Sequence, residues 1–299
     1  MTYSILGRDA RTGEMGIASQ SQAFAVGHSV PWAMAGVGVI ATQSMGEPAY
    51  GTLGLDVLWA GLTASEALTA IRSIDPHPER RQVAMIDGNG KMSAYTGEAC
   101  IGEAGHEVGD SCVAVANMMR TEAVWGAMVD AFEQSEGPLA PRLLSALRAA
   151  EEAGGDMRGQ RSAVVKVVRA TRSGRPWRDD VVDLRVDDHA APLDVLGRLV
   201  EKSGRYNRVV SAFERALDGE AREAADDVDA LPWEAAEAEP DLLMWRAAIF
   251  ALAGREEEAS TALSQLKRRA PVFVEVFRRL ETAGVVDQPK LWGRLLPPS

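Results

Sequence analysis

Four histidines and two cysteines are all that 299 residues offer in the way of soft metal ligands. No two histidines stand at helical ligand spacing, and none clusters with a cysteine, so neither a metal nor another cofactor is expected. Cys100 and Cys112 cannot build a disulfide framework. They read as two free thiols of a cytoplasmic protein, with Cys112 inside a buried strand. Asp187-Asp188-His189 is the densest polar group, and it falls at a strand end, where side chains are normally solvated. No apolar run approaches the roughly 18 residues that span a bilayer, and the first residues lack the form of a secretory signal. Positive charge is also scarce: 32 Lys and Arg against 43 Asp and Glu leave a net charge of −11. That excludes a general nucleic-acid binder, whose affinity rests on neutralising phosphates. There is no glycine-rich phosphate loop, dinucleotide fingerprint or Gly-x-Ser-x-Gly elbow.

What is present is an ordinary globular composition, 46% hydrophobic and 25% charged, whose pattern changes near residue 190. Before that point, strand-like runs cover 3–8, 14–20, 37–43, 82–86, 91–96, 111–118, 162–170 and 181–186. Helical spacing covers 53–74, 121–135 and 139–153, and Asp87-Gly88-Asn89-Gly90 is hairpin-turn chemistry. Helices arriving in groups among hairpins predict an α+β domain with antiparallel sheets covered by helices.

From Pro192 onward the chain reads as helical. Ala247, Phe250, Ala259, Leu263 and Pro271, with a turn at Gly254-Arg255, fit a tetratricopeptide unit. A weaker echo, Gly197, Val200, Gly204-Arg205 and Phe213, puts a second turn 50 residues upstream, where regular stacking needs about 34. A generic helical hairpin is the alternative. One and a half units would leave Leu252, Leu263, Leu266, Phe273 and Phe277 in need of a partner surface, on the same chain or on another subunit.

Residue 2 carries the sharpest chemical reading. Thr2 is small enough for Met1 to be removed, which would place a hydroxyl and an α-amine on one residue. An α-amine with a pKa of about 7.7–8.0 can act as its own general base near neutral pH.

The first 190 or so residues resemble the domain of unknown function 1028 family. The resemblance rests on Thr2-Tyr3-Ser4-Ile5, Ala25-Val26-Gly27, Val30 to Gly38, Ala41-Thr42-Gln43, Pro48-Ala49-Tyr50-Gly51, Ala94-Tyr95-Thr96-Gly97, Gly105-His106, Gly154 to Gln160 and Val182 to His189. That family looks like a member of the N-terminal nucleophile (Ntn) hydrolases. The resemblance implies a four-layer αββα sandwich over 1–191; the helical, tetratricopeptide-like extension read from the residues above covers 192–299.

On this sequence it implies Thr2 as nucleophile, Ser19 orienting its amine, and the loop Gln43-Ser44-Met45-Gly46 supplying oxyanion donors. Removing one such donor costs about 2.7–4 kcal/mol. His106, Asn117, Asp156 and Arg158 are the candidate substrate contacts. Two positions depart from the family pattern: Gln20 stands where relatives carry lysine, and Glu47 where they carry asparagine. The function expected is cleavage of an amide bond in a small or peptide-like substrate, by a homo-oligomer that binds neither nucleic acid nor membrane. The helical extension is a candidate surface for a protein partner. The alternative is the same sandwich without catalysis, serving as a binding or assembly module.

Overall fold

In the computed structural model, residues 2–233 and 239–284 are described. The chain divides into two compact units, residues 1–201 and 202–299.

The first unit is built on two antiparallel sheets. Strands β1 (Thr2–Arg8), β2 (Met15–Ser21), β7 (Gly105–Val108), β8 (Cys112–Asn117), β9 (Ser162–Val168) and β10 (Asp180–Val186) form one sheet in the order β10-β9-β2-β1-β8-β7. Strands β3 (Pro31–Met34), β4 (Gly38–Ser44), β5 (Arg81–Asp87) and β6 (Met92–Thr96) form the other, in chain order. Period-two alternation decides what lies between them. Leu6, Ile17, Val113 and Val164 of the first sheet meet Val39, Ala41, Ala84 and Ile86 of the second in one buried cluster. The opposite parity of the first sheet, Tyr3, Ile5, Ala18 and Ala114, packs on α3 (Ala123–Gln134) and α4 (Leu139–Glu152). Ile40, Val83 and Met85 on the back of the second sheet pack on α1 (Ala49–Trp59) and α2 (Ala64–Ile74). The order is therefore helices, sheet, sheet, helices.

Three details differ from the sequence reading. The helix expected over 53–74 is two helices, broken where Gly61 adopts φ +98°. The second starts on a capping box: Thr63 Oγ1 accepts from Glu66 N–H, and the Glu66 carboxylate accepts from Thr63 N–H at 2.9 Å. Strands β3 and β7 add to the sequence-predicted set. Each is a four-residue edge strand, half-buried to exposed, so neither shows an apolar alternation. Gly204-Arg205 is not a turn, because it lies inside the 26-residue helix α5 (Pro192–Leu217).

The second unit has its own core. Helices α6 (Ala221–Asp229), α7 (Pro240–Leu252), α8 (Glu256–Arg269) and α9 (Pro271–Thr282) follow the end of α5. Leu263 and Leu266 are buried with Val228, Leu242, Ala247 and Phe250, while Leu252 and Phe273 pack at the edge. The partner surface expected for these leucines is thus supplied within the unit; the side chain of Phe277 lies outside the described residues.

The true repeat has a different phase from the one read in the sequence. Gly219 and Gly254, 35 residues apart, both have positive φ (+103° and +75°). Each glycine N–H bonds to the carbonyl three residues back, Ala216 or Ala251, and the following N–H bonds to Arg215 or Phe250. The same offset maps buried Ala212, Ala224 and Val228 onto buried Ala247, Ala259 and Leu263.

Candidate functional site

The inward face of the sandwich is apolar at one end and polar at the other. Along β1 the inward positions read Leu6, Ser4, Thr2. Their partners on β2 are Ile17 and Ser19, and on β8 Val113, Val115 and Asn117. The facing strands β4 and β5 end their inward series with the cross-strand pair Gln43 and Gln82. Thr2, Ser4, Ser19, Gln43, Gln82 and Asn117 are each no more than 3% exposed. Such burial is tolerable only with hydrogen-bond partners, since an unpaired buried polar group costs about 1–3 kcal/mol.

The partners form one connected set. Gln82 Nε2 lies 3.1 Å from the Gly105 carbonyl, 2.8 Å from the Ala116 carbonyl and 3.0 Å from Thr96 Oγ1. Gln82 Oε1 accepts from Gln43 Nε2 and Asn117 Nδ2, both at 2.8 Å. Gln43 Nε2 also donates to the Thr2 carbonyl at 2.8 Å, and Gln43 Oε1 accepts from Ser4 Oγ at 2.6 Å. Ser4 and Ser19 hydroxyls meet at 2.7 Å. The Ser4 proton is directed at the Gln43 oxygen, so Ser19 is the donor in that last contact.

Beside this network lies a cavity of about 190 Å³, lined by Thr2, Ala23, Val26, Ser29, Val30, Thr42, Gln43, Ser44, Gly46 and Pro48. No charged side chain lines it. The neighbours Phe24 and Met45, 63% and 59% exposed, stand outside the lining. One wall is the end of β4 and the loop after it; Ser44, the last residue of the strand, takes φ +71°, a strained conformation for a non-glycine residue.

Residues that sequence reasoning did not single out hold this loop. Arg81 donates from Nη1 to the Met45 carbonyl at 2.5 Å and forms a two-pronged pair with Asp75, at 2.8 and 3.2 Å. The Asp75 carboxyl sits at about 2, below the usual carboxylate range, because Arg81 hydrogen-bonds its charged form and outweighs burial. Met45 N–H bonds to the Arg80 carbonyl, so this amide is engaged and does not face the cavity as an oxyanion donor. The Gln43 side-chain amide is likewise engaged within the network. Ser44 and Gly46 are the loop residues that line the cavity.

The structure thus brings Thr2, Gln43 and Ser44 to one cavity, with Asn117 directly across the strand from Thr2 and Ser19 across from Ser4. His106, Asp156 and Arg158 are not among the cavity-lining residues. His106, on edge strand β7, meets Thr96 Oγ1 at 2.9 Å and lines a separate recess with Cys100, Glu103, Glu122 and Trp125. Burial lowers the His106 pKa, favouring its neutral form. Asp156 lies in the loop before β9. It is buried, accepts from Gln22 N–H at 3.3 Å, bridges Met119 and pairs with Arg158 at 2.6 Å.

Gln20 pairs with Tyr3, on the helix-facing parity, so its side chain does not share the face of Thr2. Glu47 serves the start of α1, accepting from Ala49 N–H at 3.2 Å. Burial pushes the Cys112 thiol up to about 12, which makes it a structural side chain rather than a nucleophile. Among the described residues, no three His, Cys, Asp or Glu side chains gather as a metal site. No helix among them is long and apolar enough to cross a membrane.

This is an α+β domain of two facing antiparallel sheets, with a neutral cavity at the polar end of their shared interior. Residues 2–196 match the family of unknown function DUF1028, and the chain belongs to that family. It is also similar to the crystal structure of protein SPO2555 from Silicibacter pomeroyi, a DUF1028 protein. The two share 32% identity with a TM-score of 0.61, over 68% of this chain and 88% of that one. No curated protein matches the chain.

Proposed function

We propose that the protein is an N-terminal nucleophile hydrolase that cleaves an amide bond, with Thr2 as its nucleophile. The observation that carries this reading is the position of Thr2. It is the first residue of a central strand, 3% exposed, on the parity that faces the neutral cavity and beside the strained Ser44. After removal of Met1, the Thr2 hydroxyl attacks the substrate carbonyl, and its proton passes to the α-amine. The amine returns that proton to the leaving nitrogen, and water then hydrolyses the Thr2 ester by the same route. Ser44 and Gly46 line the side of the cavity where backbone N–H groups would face the oxyanion. The helices-sheet-sheet-helices order supports the αββα sandwich of that superfamily. The 35-residue offset of the two C-terminal hairpins supports a tetratricopeptide-like pair, since that repeat has a period of about 34.

The test is intact mass of the purified protein, followed by a panel of neutral aminoacyl anilides assayed with wild type, Thr2→Ala and Thr2→Ser. Loss of Met1, hydrolysis by wild type that survives a strong chelator, and no turnover by folded Thr2→Ala are expected. Retained Met1 in an active preparation would refute the mechanism.

A further inference from the structure

We infer that Asn117 is the positioning residue for the α-amine of Thr2, holding it through Oδ1; this rests on the N-terminal nucleophile reading above. Gln82 Nε2 is anchored by two backbone carbonyls, those of Gly105 and Ala116, which only accept. Its Oε1 therefore faces the other way, and that oxygen also only accepts. Asn117 meets it at 2.8 Å and must present its nitrogen there. The same nitrogen lies 3.4 Å from the Thr2 carbonyl. Asn117 Oδ1 is thereby turned away from Gln82, and it is buried without a hydrogen-bond donor. An acceptor in that state, inside a network where every other amide is engaged, is a group waiting for a donor.

Strand register identifies the donor. Thr2 and Asn117 are directly paired, and the Arg8 N–H to Ser111 carbonyl bond at 2.9 Å lies on the same register. Antiparallel ladders alternate hydrogen-bonded and non-bonded pairs. Six residues further along, Thr2 and Asn117 are again a bonded pair, so the Thr2 backbone nitrogen is turned toward Asn117. As a peptide nitrogen it carries one hydrogen, which the Asn117 carbonyl takes. Removal of Met1 makes it an amine with more than one hydrogen to give, and Asn117 Oδ1 is the unfilled acceptor on the residue paired with it. Ser19 is placed differently: its hydroxyl faces Ser4 and donates to it. The role that the sequence suggested for Ser19 thus falls to Asn117, and Asn117 is removed from the set of substrate contacts.

A hydrogen bond from the amine to a neutral carbonyl favours the protonated form modestly, whereas a carboxylate in the same place favours it strongly. The experiment is a 15N NMR titration of protein labelled on threonine, which reads the amine nitrogen directly and needs no substrate. Wild type, Asn117→Leu and Asn117→Asp are compared, each first checked by intact mass and circular dichroism. With Met1 absent, the Thr2 amine pKa should fall by about 1 unit in Asn117→Leu and rise by at least about 1 unit in Asn117→Asp. If Asn117→Leu does not fold, the near-isosteric Asn117→Asp decides alone. Met1 removed but an amine that titrates alike in wild type and the folded variants would overturn the role of Asn117 and leave the nucleophile reading standing. Met1 retained, with no amine resonance, would overturn both.

Discussion

The substitution Asp75→Asn tests whether the cavity wall is held by a part-buried charge pair. Asp75 and Arg81 side chains are 5% and 12% exposed, and Arg81 also carries the Met45 carbonyl of the Ser44 loop. Breaking a buried pair leaves an uncompensated charge at about 3–5 kcal/mol. The substituted amide keeps one accepting oxygen for Arg81, so a loss of about 2–3 kcal/mol is expected. The acid limb gives an independent signature. The Asp75 carboxyl sits at about 2 in the folded protein, against about 3.9 unfolded. Its pair therefore contributes fully above about pH 4, and that contribution is lost as pH falls toward about 2, because the unfolded chain takes up the proton first. Allowing for solvent screening, this component is roughly 1–2 kcal/mol. Urea titrations at pH 7, 4 and 3 measure both effects. The variant should start lower and lose less between pH 4 and 3 than wild type. A loss below about 0.5 kcal/mol at pH 7, together with parallel acid limbs, would show that the Asp75–Arg81 pair does not hold the loop.

Two glycine substitutions probe close approach and turn geometry. A Cβ on Gly51 would lie 2.2 Å from the Trp32 indole, so Gly51→Ala should destabilise by about 1–3 kcal/mol and shift the tryptophan fluorescence; unchanged stability and emission would show that α1 has room to move off β3. Gly254, at φ +75°, closes the turn between α7 and α8; Gly254→Ala should cost about 1–2 kcal/mol, read by helical circular dichroism during melting, and a neutral result would count against the left-handed turn.

The sequence made the sandwich legible where short apolar runs were bounded by turns, as in β1, β2, β5 and β8, which are buried on both faces or nearly so. It failed for β3 and β7, which are four-residue edge strands too short to show a period. The break between α1 and α2 was written as Thr63-x-x-Glu66 after Gly61, but the continuous apolar face across it concealed the stop. In the second unit Gly204 was read as a turn because glycine breaks helices in general; here it sits on α5 with nothing near its Cβ position, and the helix continues. Of the candidate site, Thr2, Gln43 and Ser44 were legible from chain position and from the loop after β4. Ser4 and Gln82 were not, although each is a polar residue at a core parity, a detectable anomaly. Asp75 and Arg81 stand six residues apart at the two ends of the link from α2 to β5, and their pairing depends on how that link folds back, which no periodicity announces.

The two-sided pairing of β1 makes the place of Thr2 in the chain a matter of counting. Thr2 to Gly7 are matched residue for residue with β8, and Tyr3 to Arg8 with β2. A single residue inserted between Thr2 and Tyr3 would turn the threonine to the helix-facing parity beside α3 and α4, and sliding the strand to recover it would drive Ser4 into that apolar layer and Tyr3 into the polar one. Two inserted residues would restore the parity but carry the hydroxyl beyond the end of Asn117. The strand thus acts as a ruler read from Arg8 backwards, and a tag or linker that rewrites its first residues alters a length rather than merely decorating an end.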